Sequence, residues 1–234
     1  MSGKHATAVE LSALRDHELA PLIESLDALD LSSYNYVSFH APSRFEAKKE
    51  KEVIGLLHKV TQRGWPIVLH PDTIHDFSAW RSFGDLLLIE NMDKRYLSGR
   101  TARELSDVFE NLPLAGLCFD SGHCRQVDPT MNESYLILRD FAKQLKQLHM
   151  SEVNSQSTHD PLSSASIRSL QRISYLIPED VPIILESTVQ ESEIEAEMKN
   201  ALVALTVPTN EGSEKPQSAA MQKHRSSVPF QVLN

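Results

Sequence analysis

The sequence lacks any long hydrophobic run. No stretch approaches the roughly 18 apolar residues of a membrane-spanning helix, and the first residues, MSGKHATAVE, lack the basic-then-apolar order of a secretory signal. The chain contains two cysteines, Cys118 and Cys124, and they are not spaced as a CxxC pair. A disulfide framework is therefore not expected, and we predict a cytoplasmic protein without a membrane partner.

Positive charge is scarce as well. The chain has 23 lysine and arginine residues against 32 aspartate and glutamate residues, which gives a formal net charge of −9. Contacts from lysine and arginine to phosphates supply most of the non-specific affinity of proteins for nucleic acids. The charge balance therefore disfavours a nucleic-acid partner.

Seven short β-patterned segments form the main regularity of the chain, and each ends on an acid or a histidine. These residues recur about one βα unit, roughly 30 residues, apart, and helical patterns fill the intervals. The segments are rich in Val, Ile and Leu, as parallel strands buried on both faces are. The residues at their ends are Glu10, His40, His70, Glu90, Asp120, His149 and Glu186.

This repeat predicts an α/β fold, a TIM (β/α) barrel built on one parallel sheet. A closed barrel has eight strands and the pattern supplies seven, so the chain is expected to lack its first βα unit. An open barrel would leave a strand edge unpaired, which makes a homodimer possible. Residues 1–206 are assigned to the barrel. Residues 207–234, which mix Pro, Ser, Gln, Lys and Glu without apolar periodicity, are predicted to form a disordered C-terminal tail.

The carboxyl ends of barrel strands meet at one mouth, so the seven residues should converge there. Uncompensated convergence of carboxylates is costly, and a cation removes that cost. Three carboxylates and one imidazole suit Mn²⁺, Mg²⁺, Co²⁺ or Zn²⁺, and ligand type alone does not choose among them. The four residues expected on one metal come from consecutive strands and are Glu90, Asp120, His149 and Glu186.

Further histidines extend this predicted site. His123 lies three residues after Asp120 and is expected just above it, where it binds substrate or a second metal. His40 and His70 come from the opposite side of the mouth. With Glu90 as a bridge, these two histidines would hold a second ion.

The ordered motifs HAP, HPD, IEN, DSGH, LHMSE, THDPL and ILES resemble those of the xylose isomerase-like TIM-barrel superfamily, which includes sugar isomerases, epimerases and endonuclease IV. The resemblance covers about residues 7 to 200. It implies a four-ligand metal site in which Glu90 and Glu186 also act as acid and base. The trinuclear zinc pattern of endonuclease IV has an aspartate where this chain has Ser157. That pattern extends to four histidines, as second-metal or substrate-binding residues: His40, His70, His123 and His159.

These observations lead to three hypotheses about function. The first is a divalent-metal-dependent isomerase or epimerase that transfers a proton on a small hydroxy-carbonyl substrate, such as a sugar or sugar phosphate. The second is an endonuclease IV-like, metal-dependent phosphodiester hydrolase, which the histidines favour and the acidic charge and Ser157 disfavour. The third is a non-catalytic, truncated barrel that binds a small ligand or a partner chain.

Overall fold

Strands and helices alternate along most of the chain. The structure, a computed structural model, describes residues 6–207 and 230–232. Seven strands run through residues 6–207 as one sheet: β1 (Ala8–Ser12), β2 (Tyr36–His40), β3 (Ile67–Leu69), β4 (Leu87–Glu90), β5 (Gly116–Asp120), β6 (Leu145–Met150) and β9 (Ile183–Leu185). A separate antiparallel hairpin is formed by β7 (Glu152–Val153) and β8 (His159–Asp160). The helices are α1 (Asp16–Ser25), α2 (Glu50–Thr61), α3 (Phe77–Trp80), α4 (Ala102–Asn111), α5 (Ser121–Val127), α6 (Asn132–Asp140), α7 (Ser164–Gln171) and α8 (Ile194–Ala204).

The seven strands pair in parallel in the order β1-β2-β3-β4-β5-β6-β9. This arrangement confirms the predicted TIM-barrel fold. Because helical segments return the chain between parallel strands, all carboxyl ends of the strands face the same side. The register places Asp120 of β5 opposite His149 of β6.

A further short strand, β10 (Phe230–Val232), extends the sheet. It pairs in parallel with β9 and lies near β1, so it occupies the position between the last and the first of the seven predicted strands. The rest of the tail predicted at 207–234 lies outside the described residues, apart from Val207.

Alternation along each strand separates an outer face from an inner face of the barrel. Val68, Leu88 and Cys118 form a small buried cluster that is distinct from the main core. Leu88 and Glu90 are two residues apart on β4, so they share the inner face and place a carboxylate above an apolar layer. Gly116 makes space for this layer, because a Cβ there would lie 2.7 Å from Leu88 Cδ2.

The larger core lies between the sheet and the helices. It buries Phe39, Ile89 and Phe119 from the strands against residues such as Leu57 and Leu105 of the helices. Burial of this apolar area is the main stabilising contribution to the fold. Across residues 6–207, no helix has both the length and the apolar character that crossing a lipid bilayer requires.

Candidate metal centre

The carboxyl ends of the strands bring the predicted residues to one mouth of the barrel. The side chains that meet there are buried or nearly buried. His40, Glu90 and Asp120 are the last residues of β2, β4 and β5. His149 lies within β6, and His70 and Glu186 directly follow β3 and β9. Glu186 is the most accessible carboxylate of this set, with 12% of its side chain exposed. The mouth is therefore a buried polar cluster that solvent reaches near Glu186.

Four of these residues form one compact group. The candidate ligand atoms of Glu90, Asp120, His149 and Glu186 all lie within 4.8 Å of one another. His149 Nδ1 is 3.2 Å from Glu186 Oε1 and 3.5 Å from Glu90 Oε1. Asp120 Oδ2, His149 Nδ1 and Glu186 Oε2 are buried without a hydrogen-bond partner. Buried oxygen and nitrogen atoms left in this way fit a divalent cation, and we name these residues the four-ligand group.

A second group of candidate ligands shares Glu90. The ligand atoms of His40, His70 and Glu90 also lie within 4.8 Å of one another. His40 Nδ1 is 2.7 Å from the carbonyl oxygen of Ala41. Because a carbonyl only accepts, that nitrogen carries the hydrogen, and His40 Nε2 is free to bind a cation in the neutral ring. We name these three residues the histidine group.

Glu90 stands between the two groups with both carboxylate oxygens engaged. Its Oε2 lies 3.1 Å from His40 Nε2 and 3.3 Å from His70 Nε2. Its Oε1 lies 3.2 Å from His123 Nδ1 and 3.5 Å from His149 Nδ1. One oxygen therefore faces the histidine group and the other faces the four-ligand group, so Glu90 belongs to both groups of candidate ligands.

Local structure holds Asp120 in place. Its Oδ1 accepts a hydrogen bond of 2.6 Å from the backbone N–H of His123, so it caps the N-terminus of α5. The side chain of Asn91 makes two further hydrogen bonds of 2.8 Å to the backbone of Asp120. Oδ2 remains for a cation. Neither α5 nor the role of Asn91 is predicted from the sequence, although Asn91 stands directly after Glu90 in the IEN motif.

His123 lies at the edge of the four-ligand group with an N–H directed inward. Its Nδ1 is 3.0 Å from the carbonyl oxygen of Asn91, so this nitrogen carries a hydrogen. Burial lowers the pKa of His123, but the carboxylates of Asp120 and Glu90 outweigh that effect and raise the pKa to about 10. His123 therefore suits the orientation of a substrate oxygen better than coordination beside Glu90.

His159 faces the same mouth from strand β8. Its Nδ1 lies 3.4 Å from Glu186 Oε2 and 2.8 Å from Ser151 Oγ, and its ring centroid is 5.4 Å from that of His123. Ser157, in the hairpin turn between β7 and β8, accepts a hydrogen bond of 3.0 Å from Gln126 Nε2. Within the described residues, His123 and His159 belong to neither group of candidate ligands.

The electrostatics of the centre move the two glutamate pKa values apart. Burial raises the pKa of Glu186 well above its ordinary value, and Asp120 and Glu90 add to the rise against the opposing effect of His149. Burial also acts to raise the pKa of Glu90, but the imidazoles of His149 and His70 hold it well below its ordinary value. Without a cation, Glu90 is thus the more acidic of the two carboxyls and Glu186 the less acidic.

Two buried acids at this end of the barrel are not among the predicted metal, catalytic or substrate-binding residues. Glu10 lies beneath His149, with Glu10 Oε1 3.1 Å from His149 Nε2. Asp93 follows β4, pairs with Arg95, and has Oδ2 4.0 Å from His123 Nε2. Glu10 ends a β-patterned segment like the other ring residues, so the sequence carries a signal for it. Asp93 has no comparable pattern.

The chain was compared with known proteins. No family model matches the sequence, and no curated protein matches it. Among solved structures, the chain is similar to endonuclease IV from Thermus thermophilus, with a TM-score of 0.56 and 18% identity over 85% of this chain and 89% of that one. It is also similar to a xylose isomerase-like TIM barrel protein from Mycobacterium smegmatis in complex with magnesium, with a TM-score of 0.52 and 12% identity over 84% and 82% of the two chains.

These similarities define a class of fold. The chain has the fold of the xylose isomerase-like TIM barrels, as the ordered motifs indicate. Both branches named by the resemblance are represented, since one similar structure is an endonuclease IV and the other is xylose isomerase-like. The reaction therefore has to be argued from the residues at the mouth.

Proposed function

We propose that this chain is a divalent-metal-dependent hydrolase that cleaves a phosphodiester bond between two cations held on either side of Glu90. The observation that carries the proposal is the pair of overlapping ligand groups that share this carboxylate. Two cations that flank one reacting centre are a common arrangement for in-line displacement at phosphorus. The phosphodiester hydrolase, which is the second hypothesis from the sequence, therefore becomes the first, and the isomerase or epimerase becomes the second.

The environment of Glu90 supports a bridging role over a proton-transfer role. In the isomerase hypothesis, Glu90 would accept a proton from a substrate carbon, which requires an oxygen within reach of that carbon. Glu90 is 1% exposed, and imidazole nitrogens lie within 3.5 Å of each of its oxygens. A carboxylate enclosed in this way suits a fixed ligand.

The cations and the residues at the mouth have different roles in the proposed hydrolysis. When bound, two divalent cations supply Lewis-acid chemistry, because they offset the phosphoryl charge and lower the pKa of an attacking water. Glu90 fixes the separation of the two ligand groups. His123 directs its Nδ1–H at the carbonyl oxygen of Asn91 and lies beside Glu90 and Asp120, where its ring would orient the phosphoryl group. The reaction adds water across one P–O bond and yields a phosphomonoester and an alcohol.

The proposed substrate is a small phosphodiester. The similar structure from Thermus thermophilus is an endonuclease, but the net charge of −9 on this chain opposes the approach of a long polyanion. Glu186 and His159, at 12% and 26% side-chain exposure, mark the accessible side of the centre. A substrate would enter from that side.

The test measures ion content and hydrolysis in parallel. The purified protein is reconstituted with Zn²⁺ or Mn²⁺, and the bound metal is counted by mass spectrometry while bis(p-nitrophenyl) phosphate is supplied as substrate. We expect two ions per chain and metal-dependent release of p-nitrophenol. His70→Ala should remove one ion and most of the activity, whereas His17→Gln, at a histidine whose side chain is 70% exposed, should change neither. A wild-type protein that binds one ion and shows no hydrolysis contradicts the proposal.

A metal-dependent isomerase or epimerase is the second candidate. Ser157 favours it, because its hydroxyl is directed to Gln126 and an acid is absent from the position that a third cation requires in the endonuclease pattern. Glu186 also fits, since its Oε2 is buried without a hydrogen-bond partner beside the four-ligand group. That carboxyl would act as acid and base toward the substrate, accepting a proton from a substrate carbon and returning one.

Exchange of a carbon-bound hydrogen distinguishes the two candidates. The metal-loaded protein is incubated in deuterium oxide with a panel of sugars and sugar phosphates, and deuterium incorporation is followed by NMR. The isomerase hypothesis expects incorporation that Glu186→Gln abolishes. Hydrolysis of the phosphodiester without any incorporation supports the first proposal and removes the second.

A further inference from the structure

A buried carboxylate lies directly beneath the four-ligand group. Glu10, on the inner face of β1, is 1% exposed, and its Oε1 lies 3.1 Å from His149 Nε2. His149 has no exposed side-chain surface, and its other ring nitrogen, Nδ1, faces Glu90 and Glu186. One ring therefore connects the candidate cation position to a carboxylate deeper in the barrel.

The other oxygen of Glu10 accepts hydrogen bonds from side chains of the strands β2 and β6. Glu10 Oε2 accepts hydrogen bonds of 2.8 Å from Ser38 Oγ and of 2.7 Å from Gln147 Nε2. Gln147 is itself fixed, because its Oε1 accepts a hydrogen bond of 2.7 Å from the Tyr36 hydroxyl. A buried carboxylate is costly unless its oxygens are satisfied, and these donors leave Oε1 directed at the imidazole.

The hydrogen on His149 can occupy either ring nitrogen. Gln147 Nε2 lies 2.8 Å from His149 Nε2, and as a donor it favours the ring form with the hydrogen on Nδ1. That form would block Nδ1 for a cation. Glu10 Oε1 is an acceptor at the same nitrogen, so it favours the hydrogen on Nε2 and leaves the Nδ1 lone pair directed at the four-ligand group.

We propose that Glu10 is a positioning residue for the metal centre: it accepts the Nε2–H of His149 and thereby presents His149 Nδ1 to the cation. This inference rests on the metal site of the proposed function and assigns a role to a residue outside it. Carboxylate partners of this kind fix the ring form and orientation of a ligand histidine and raise its basicity.

The test compares two buried glutamates with the same substitution. Glu10→Gln keeps the shape of the side chain and removes the acceptor charge. Glu50→Gln is the matched control, because Glu50 is 5% exposed and accepts the Trp80 indole N–H on the outer side of the barrel. The dissociation constant for Zn²⁺ is measured by competition with a chromophoric chelator, and the visible spectrum of the Co²⁺-loaded protein reports the ligand field.

We expect Glu10→Gln to weaken the binding of one cation by roughly 10- to 100-fold and to shift the Co²⁺ spectrum. Glu50→Gln should lower thermal stability and leave affinity and spectrum as in the wild type. Wild-type affinity and spectrum in a folded Glu10→Gln protein overturn the inference while the metal site stands. A wild-type protein that binds no divalent cation overturns the proposed function instead, together with this role.

A second substitution covers the case in which Glu10→Gln fails to fold. Ser38→Ala removes one donor to Glu10 Oε2 and leaves Oε1 in place. Its affinity for Zn²⁺ should fall in the same direction by a smaller factor, because the carboxylate is less firmly held. An unchanged affinity would count against the role of Glu10.

Discussion

The side-chain amide of Asn91 forms two hydrogen bonds with the backbone of Asp120. Its Nδ2 donates to the Asp120 carbonyl oxygen and its Oδ1 accepts from the Asp120 N–H, each at 2.8 Å. Both residues are fully buried. The end of strand β5 is therefore fixed to the end of β4 by side-chain hydrogen bonds, at the point where the two strands supply candidate metal ligands.

Asn91→Ala should destabilise the protein and displace Asp120. The substitution leaves a buried N–H and a buried carbonyl without partners, which costs about 1–3 kcal/mol in the free energy of unfolding. Affinity for Zn²⁺ should fall as well, because the Asp120 carboxylate is no longer held in register. Urea unfolding and metal titration measure the two effects. Asn111→Ala, at an exposed residue that bonds the Asp107 carbonyl, should change stability little and affinity not at all.

Asp120→Asn should separate metal binding from folding. The amide oxygen can still accept from the His123 N–H and so keep the cap of α5, while the negative charge at Oδ2 is lost. We expect a large loss of bound metal with little change in the melting temperature of the metal-free protein, because relief of carboxylate repulsion offsets lost interactions. Asp140→Asn, at an exposed residue paired with Arg139, is the control. Metal content equal to the wild type would remove Asp120 from the site.

His123 should make the stability of the metal-free protein depend on pH. Its pKa is about 10 in the folded chain, above the ordinary value of 6.5. The raised pKa means that the folded state binds the proton more tightly than the unfolded state does. This contribution is fully present below about pH 6.5 and is lost as the pH rises through about 10. The difference in free energy of unfolding between the wild type and His123→Gln, measured in chelator, should shrink across that window. If the difference in free energy of unfolding between the two proteins stayed constant from pH 6.5 to 10, the charge of His123 would not be what stabilises the wild type.

Strand β10 should protect the edges of β9 and β1. A chain that ends at residue 229 lacks the segment that pairs with Ile183–Leu185, and it exposes unpaired N–H and carbonyl groups along β9. We expect a lower melting temperature, or a dimer formed through the exposed edges. Differential scanning calorimetry and light scattering compare this chain with the full-length protein. A monomer of unchanged stability would show that β10 contributes little to the barrel.

The sequence predicts the elements whose signal is local. Apolar segments of Val, Ile and Leu mark the seven strands, because strands buried on both faces need no polar residues. The spacing of Thr101 and Glu104 predicts the start of α4, and the Thr101 side chain accepts the N–H of Glu104 in the structure. The ring of acids and histidines is also visible, since each member stands at the end of a β-patterned segment of the sequence.

Other features depend on contacts between distant parts of the chain. Glu10 and Gln147 are 137 residues apart and meet only because the sheet curves into a barrel. Ser157 adopts a φ of 60° in the β7–β8 turn and its hydroxyl accepts a hydrogen bond from Gln126, and residue type alone specifies neither. The sequence by itself therefore determined which residues stand at the strand ends, through periodicity and polarity. The tertiary structure decided which of their ligand atoms lie close enough to share a cation and which carboxylate lies behind His149, because those relations depend on strand register and side-chain direction across the barrel.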